Sequence, residues 1–233
     1  YVDTQPPDRP TEVKDVHHLE PGERPDPEEL RERMHHDPIV QEFVPAAGEY
    51  MVAALYDHGN PVATYQHRQV RGDSYVGGGG VYRTSIHVPE LETVARRLLA
   101  ELDWHGLACI EYIRDATTGE FKPVELNPRM WQSLPSTVRA GADFPYDYWL
   151  EATGRVDRID PTYDLGVGCH LLYGELGYLA SVLTEDSPLV ERPSLTTELG
   201  AVVRSCLEQP HFDYLHLDDP RPFLRGVRTA LTV

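Results

Sequence analysis

The stretch GEFKPVELNPRMWQSLP, residues 119–135, sets a carboxylate, an amide and a guanidinium two residues apart: Glu125, Asn127 and Arg129. Residues 121–126 suit a pleated strand, and Glu111 stands fourteen residues before Glu125 at the end of another strand-like run, residues 107–114. A hairpin centred on Thr118 places Glu111 opposite Glu125 and Cys109 opposite Asn127. Side chains alternate along a strand, so Cys109, Glu111, Glu125 and Asn127 share one face. Two carboxylates directly opposed repel and weaken a sheet pair, unless a hard cation joins them. Mg²⁺ takes oxygen ligands and keeps waters or phosphate oxygens in its remaining positions. Two glutamates and an amide oxygen form a half-shell for it, and Arg129 stands where a phosphate on that metal can be met by a bidentate donor. The plain alternative is a solvated hairpin whose acids pair with arginines.

The rest of the composition narrows the class. The chain has 233 residues, enough for one large domain or two small ones. Lys and Arg number 21 against 38 Asp and Glu, a net charge of −17, and the lysines are Lys14 and Lys122 alone. Such a surface repels nucleic-acid phosphates and anionic lipid, so neither is an expected partner. Acidic excess with scarce lysine also fits a halophilic, high-salt cytoplasm. Cys109, Cys169 and Cys206 are widely separated and odd in number, which argues against a disulfide framework or zinc knuckle. No run reaches membrane-span length and no signal peptide is visible, so a soluble cytoplasmic protein is expected.

Elements that must position the acids follow from pattern. Residues 1–26 are proline-rich and lack an apolar period; Asp26-Pro27 then reads as a helix start. A short strand is expected at 39–44, and a hairpin from 50–56 to 62–70 turning near Gly59-Asn60. Gly77 to Gly80 reads as a flexible loop and 81–88 as a strand. Leu91, Val94, Leu98 and Leu99 recur at helical spacing over 89–102. Helices are expected at 133–140, 146–153, 174–183 and 194–207, with a short strand near 167–173, while 209–222 carries little pattern. Strands in antiparallel hairpins interleaved with helices give an α+β fold.

GLACIEY (residues 106–112) followed by ELNPR (residues 125–129) resembles the closing half of an ATP-grasp domain, nearest the carboxylate–amine ligase and carbamoyl-phosphate-synthase-like branch. VQEFVPAAGE, residues 40–49, is similar to that family's hinge. The resemblance covers about residues 38–153. It implies ATP-grasp lobes with antiparallel sheets flanked by helices, the first lobe incomplete, and ATP with Mg²⁺ (or Mn²⁺) as cofactors. It implies Glu111, Glu125 and Asn127 as metal ligands and Arg129 on phosphate. Gln41, Glu42, Phe43 and Val44 would cradle adenine, Glu49 would take the ribose, and Arg68 would face phosphate or acyl substrate from the cleft. The glycines would form a loop over the site.

By the same resemblance the chain divides into a remainder of the first ATP lobe (1–37), a nucleotide- and metal-binding lobe (38–154) and a C-terminal helical extension (155–233). The family's phosphate-gripping lysine should stand upstream of the hinge, where this chain has only Lys14. Beginning at Tyr1, the chain therefore reads as the back part of a longer enzyme. The implied activity is ATP-dependent activation of a carboxylate as an acyl-phosphate for attack by an amine, on small molecules and with oligomeric state open. A nucleotide-binding domain without catalysis and a metal-dependent hydrolase using Glu111 and Glu125 are the rival readings. His17-His18 and His35-His36 read as surface residues, Arg71 as a solvated strand end, Cys109 as a buried filler, and Trp104 and Trp131 as packing, with Trp131 close enough to wall a pocket.

Overall fold

A computed structural model of the chain describes residues 2–3, 11–12, 19, 22–34, 37, 39–187 and 190–230; Lys14, His17, His18, His35 and His36 lie outside them. The chain divides into two units, Tyr1–Phe43 and Val44–Val233. In the first, β1 (Val2–Asp3) pairs antiparallel with β2 (Thr11–Glu12). Helix α1 (Pro27–Met34) starts where the sequence places it: the Asp26 carboxylate accepts the Glu28 N–H at 2.9 Å, and proline, which has no N–H to satisfy, takes the first helical position. The strand expected at 39–44 does not form. Ile39, Val40 and Phe43 are 84%, 77% and 62% exposed, so the apolar run has no sheet to bury it.

The second unit is built on one antiparallel sheet. Its strands are β3 (Ala46–Asp57), β4 (Asn60–Ser74), β5 (Gly77–Ile86), β6 (Gly106–Asp115), β7 (Phe121–Asn127) and β8 (Gly168–His170). Among the described residues they lie in the order β7-β6-β3-β4-β5-β8. The β3–β4 turn is a two-residue loop with His58 (φ 43°) and Gly59 (φ 75°) both left-handed, one residue earlier than expected. That conformation matches the twist of the strands it joins.

Strand β3 is central and buried on both faces from Met51 to Tyr56. One face carries Met51, Ala53 and Leu55 against Tyr65, Cys109, Trp131 and Phe144. Here α3 (Leu134–Arg139) and α4 (Phe144–Ala152) follow β7. The other face carries Val52, Ala54, Tyr56, Ala108, Ile110 and Tyr112 against Leu91, Ala95 and Leu99 of α2 (Pro89–Glu101). Those three positions are four residues apart, one stripe of a helix. Leu91 and Leu99 are fully buried, each contributing about 1.5–3 kcal/mol by removal from water.

After α4 a helical extension packed on the lobe is expected, with a short strand near 167–173, and β8 is that strand. It pairs with β5, through Tyr82↔His170, Arg83↔Cys169 and Thr84↔Gly168, so residues beyond 154 contribute a strand to the same sheet. Helices α5 (Leu172–Thr184) and α6 (Leu195–Glu208) pack through Tyr178, Val182 and Val202. The weakly patterned tail ends in α7 (Arg221–Ala230). No helix among the described residues is long and apolar enough to cross a membrane.

Candidate functional site

The β6–β7 hairpin has the register that alternation dictates: Cys109↔Asn127, Ile110↔Leu126, Glu111↔Glu125. A bulge between Glu111 and Tyr112 then shifts the pairing toward the turn. Glu111 also lies opposite Met51 of β3, so the acid pair shares the face of Met51 and Cys109. Glu49, two residues before Met51, joins that face and lies opposite Gln69 of β4. The Gln69 side-chain N–H donates to the Glu49 carboxylate and, at 3.0 Å, to the Gly78 carbonyl. Glu49, Met51, Gln69, Cys109 and Glu111 line a cleft of about 330 Å³ together with Gly78, Gly79, Gly80, His67, Arg83 and Trp131, while Glu125 and Asn127 lie outside its lining.

The cleft's acids are poorly accommodated in their charged form. Partial burial, and then the charge of Glu125, push the Glu111 carboxyl above its ordinary pKa, although Arg129 opposes them. Burial and the charge of Glu111 push Glu49 up as well. A carboxylate whose charged form is disfavoured by burial and a neighbouring anion takes up either a proton or a positive ion. The Asn127 Oδ1 accepts from Arg129 Nη2 at 3.2 Å and has a second lone pair free of that bond, while Arg129 Nη1 donates to the Met130 carbonyl at 3.0 Å. Two carboxylates and an amide oxygen fit Mg²⁺ or Mn²⁺, which favour oxygen donors.

The glycine stretch is not a loop. Gly77–Gly80 opens β5, and close approach explains why glycine stands there. A Cβ on Gly78 (φ +107°) would come within 2.0 Å of the Asp73 carboxylate, and one on Gly80 within 2.6 Å of the Gln69 amide oxygen. Behind it lies Arg83, 1% exposed, which donates to the Gly80 carbonyl and, through Nη1 at 2.5 Å, to Asp213. The Cys169 thiol donates to the other Asp213 oxygen at 3.1 Å. Next to Arg83, His67 is held neutral: burial first, and then the Arg83 charge, lower its pKa to about 3.

The structure brings Glu49, Glu111, Glu125, Asn127 and Arg129 to one hairpin face and its rim. It does not bring Arg68 there. Arg68 pairs with Tyr50 and Thr84, one residue out of step with His67 and Gln69, and is exposed on the face opposite Glu111. Arg71 corrects the other way. A bulge after Gln69 turns it inward, where it is 8% exposed and bonds Glu175 at 2.9 Å and Ser205 at 2.8 Å. Gln41, Glu42 and Phe43 fall in the first unit and are exposed; Val44 opens the second.

Cys109 is buried, and its thiol is pushed up to about 12 by burial and the two glutamates, which removes it as a nucleophile at neutral pH. Trp131 both packs and walls the cleft: its Nε1 donates to Thr137 at 3.0 Å, and Phe144 meets its ring edge-on. Of the stretch 66–71, which by resemblance would contact phosphate or acyl substrate, the sequence points to Arg68, whereas the alternation of β4 sets His67 and Gln69 on the face of Tyr65; Arg83 escaped because its partner is 130 residues away.

No protein-family model matches the chain, and no curated protein does. Solved structures do. The chain is similar to the phosphoribosylaminoimidazole carboxylase ATPase subunit from Aquifex aeolicus, at 19% identity and a TM-score of 0.43, over 55% of this chain and 41% of that one. It is similar to the N5-carboxyaminoimidazole synthetase from Staphylococcus aureus complexed with ADP, at 12% identity and a TM-score of 0.40, over 55% and 35%. The biotin carboxylase domain of a thermophilic 2-oxoglutarate carboxylase bound to bicarbonate matches at 15% identity and a TM-score of 0.40, over 55% and 30%. The chain thus spans less than half the length of each of these.

Proposed function

We propose that this chain is the nucleotide- and metal-binding part of an ATP-grasp ligase, one that activates a small-molecule carboxylate as an acyl-phosphate for attack by an amine. The observation that carries the reading is the opposition of Glu111 and Glu125 across the hairpin, with burial and then the Glu125 charge raising the Glu111 pKa, and with Glu111 lining a cleft that has a glycine strand along it. Mg²⁺, when bound, neutralises phosphate charge and orients the transferring group. The chain's own part is positional. Glu111, Glu125 and Asn127 present the oxygens, and Arg129 is free to turn from its loop carbonyl toward a phosphate. Glu49, fixed by Gln69, meets the ribose hydroxyls, and side-chain-free backbone at Gly78–Gly80 allows polyphosphate close approach. Neutral His67 and buried Trp131 line the inner wall beside the Arg83 guanidinium, whose charge Asp213 balances.

The test is calorimetric titration with a non-hydrolysable ATP analogue, with and without Mg²⁺. Parent affinity should rise at least about tenfold with Mg²⁺, and Glu111→Gln and Glu125→Gln should each abolish that increment. Nucleotide binding indifferent to Mg²⁺ and to both substitutions would remove the reading. ADP release that requires both a carboxylate and an amine separates a ligase from a nucleotide-binding domain without catalysis, and from a hydrolase that needs no ATP.

A further inference from the structure

The far end of the same sheet carries a second cluster that the nucleotide cleft does not use. Asp57 and His58 sit at the β3–β4 turn, and His105 immediately precedes β6. Their ligand atoms, one from each residue, all lie within 4.8 Å of one another. His105 Nδ1 is 3.3 Å from Asp57 Oδ1, and the two imidazoles stack with centroids 4.5 Å apart and planes 12° apart. Strand β3 has Glu49 near one end and Asp57 at the other, about 26 Å apart at 3.3 Å per residue. This is therefore not a part of the acid-pair site.

We propose that Asp57, His58 and His105 form a binding site for a borderline divalent cation of the Zn²⁺ class. Zn–N and Zn–O bonds of about 2.0–2.2 Å set neighbouring tetrahedral ligands roughly 3.3–3.6 Å apart. The separations here must close by about 1.5 Å at most, within reach of side-chain rotation for exposed groups. Two imidazoles and one carboxylate select Zn²⁺, Ni²⁺ or Cu²⁺ over Mg²⁺. The fourth position stays open to water or an external ligand.

The frame beneath the cluster is fixed, so binding orders only side chains. The Gly59 N–H donates to the Trp104 carbonyl at 2.8 Å and ties the turn to the segment bearing His105. The Asn60 amide donates to the Asp57 and His58 carbonyls at 3.1 and 3.0 Å. Tyr56 pairs with Gly106 across the strands just beneath. His58 itself holds a left-handed backbone at φ 43°, where asparagine or glycine is the usual choice. A surface ion pair between His105 and Asp57 contributes little and needs no second imidazole. A second imidazole with its nitrogen within 4.8 Å supplies the third donor, once the stacked rings turn so that their in-plane lone pairs converge on one ion.

Zinc titration calorimetry on the 233-residue chain, with Mg²⁺ in excess to fill the oxygen site, reads the proposal directly. One Zn²⁺ should bind per chain, and His58→Asn, His105→Ala and Asp57→Ala should each weaken it about tenfold or more. His58→Asn suits the left-handed turn and removes the imidazole without straining it. At a hundredfold excess over the parent's dissociation constant, Zn²⁺ should raise the parent melting temperature by about 5–10 °C and that of His105→Ala by at most about half as much. A chain with His17, His18, His35 and His36 all changed to alanine should bind as the parent does. Equal affinity in His58→Asn and His105→Ala, or loss of the bound ion in that fourfold variant, overturns the proposal.

Discussion

Replacing Asp213 with asparagine keeps the shape of the side chain and an oxygen for the Cys169 thiol, but sets an amide NH2, a donor, where the second carboxylate oxygen accepts from Arg83, so both charge and acceptor are lost there. The guanidinium is then left 2% exposed in its side chain, with the Gly80 carbonyl and no counter-charge. Breaking a buried pair from one side costs about 3–5 kcal/mol, because the orphaned ion keeps its desolvation penalty. For a domain of this size about 2–4 °C of melting temperature accompanies each kcal/mol, so a drop of roughly 6–20 °C is expected. Thermal and urea unfolding followed by circular dichroism measure it. The double variant Arg83→Met with Asp213→Leu removes both charges for residues of similar volume and should recover most of the loss. Nucleotide affinity should fall in Asp213→Asn as well, since the guanidinium that anchors Gly80 is disturbed. A loss below about 1 kcal/mol, or a double variant no better than the single one, would refute the claim that this pair is an isolated buried charge couple.

Further expectations come from the same geometry. Glu49 and Glu111 have folded pKa values above the ordinary 4.5. Their contribution to stability is thus fully present below that value and lost as pH rises through the raised one. Scanning calorimetry of the metal-free chain should show stabilisation by these groups on mild acidification, smaller in Glu111→Gln, while Mg²⁺ affinity falls over the same interval. Gly78→Ala, at φ +107° and against the Asp73 carboxylate, should cost about 1–3 kcal/mol. Gly200→Ala, inside α6 with nothing within 4 Å, should instead stabilise by about 0.5–1 kcal/mol; chemical denaturation checks both. Alkylation read by mass spectrometry should find Cys206 first, with buried Cys109 and Cys169 protected until unfolding.

The parts of this fold that could be read in advance are those whose partners are near in sequence or repeat a period. The β6–β7 hairpin is set by its own turn, so the Glu111–Glu125 opposition follows from spacing. Helix α2 is legible in the spacing of Leu91, Val94, Leu98 and Leu99, though its fully buried stripe is Leu91, Ala95 and Leu99. Arg71 and Arg83 look like surface cations because Glu175, Ser205 and Asp213 enter more than a hundred residues later. Arg68 was misplaced for a different reason: strand parity means nothing until the register with β3 fixes which parity faces the acids. Four glycines read as a loop because sequence shows their freedom and hides the side chains that press on them. Residues 39–44 have the composition of a strand, but no sheet receives them.

The bulge after Glu111 has a consequence for how the chain tolerates change. The turn beyond it is held by its own devices: Asp115 accepts from the Thr117 and Thr118 N–H groups at 2.7 and 3.2 Å and pairs with Lys122 at 3.2 Å. Between that closed turn and the paired acids the ladder has a joint, where an extra residue is already accommodated. Insertions at 116–119 should be absorbed above the joint and leave the opposition of Glu111 and Glu125 intact. The tip of this hairpin is thus the place to graft a reporter or an affinity tag within a few residues of the cleft without rewriting it.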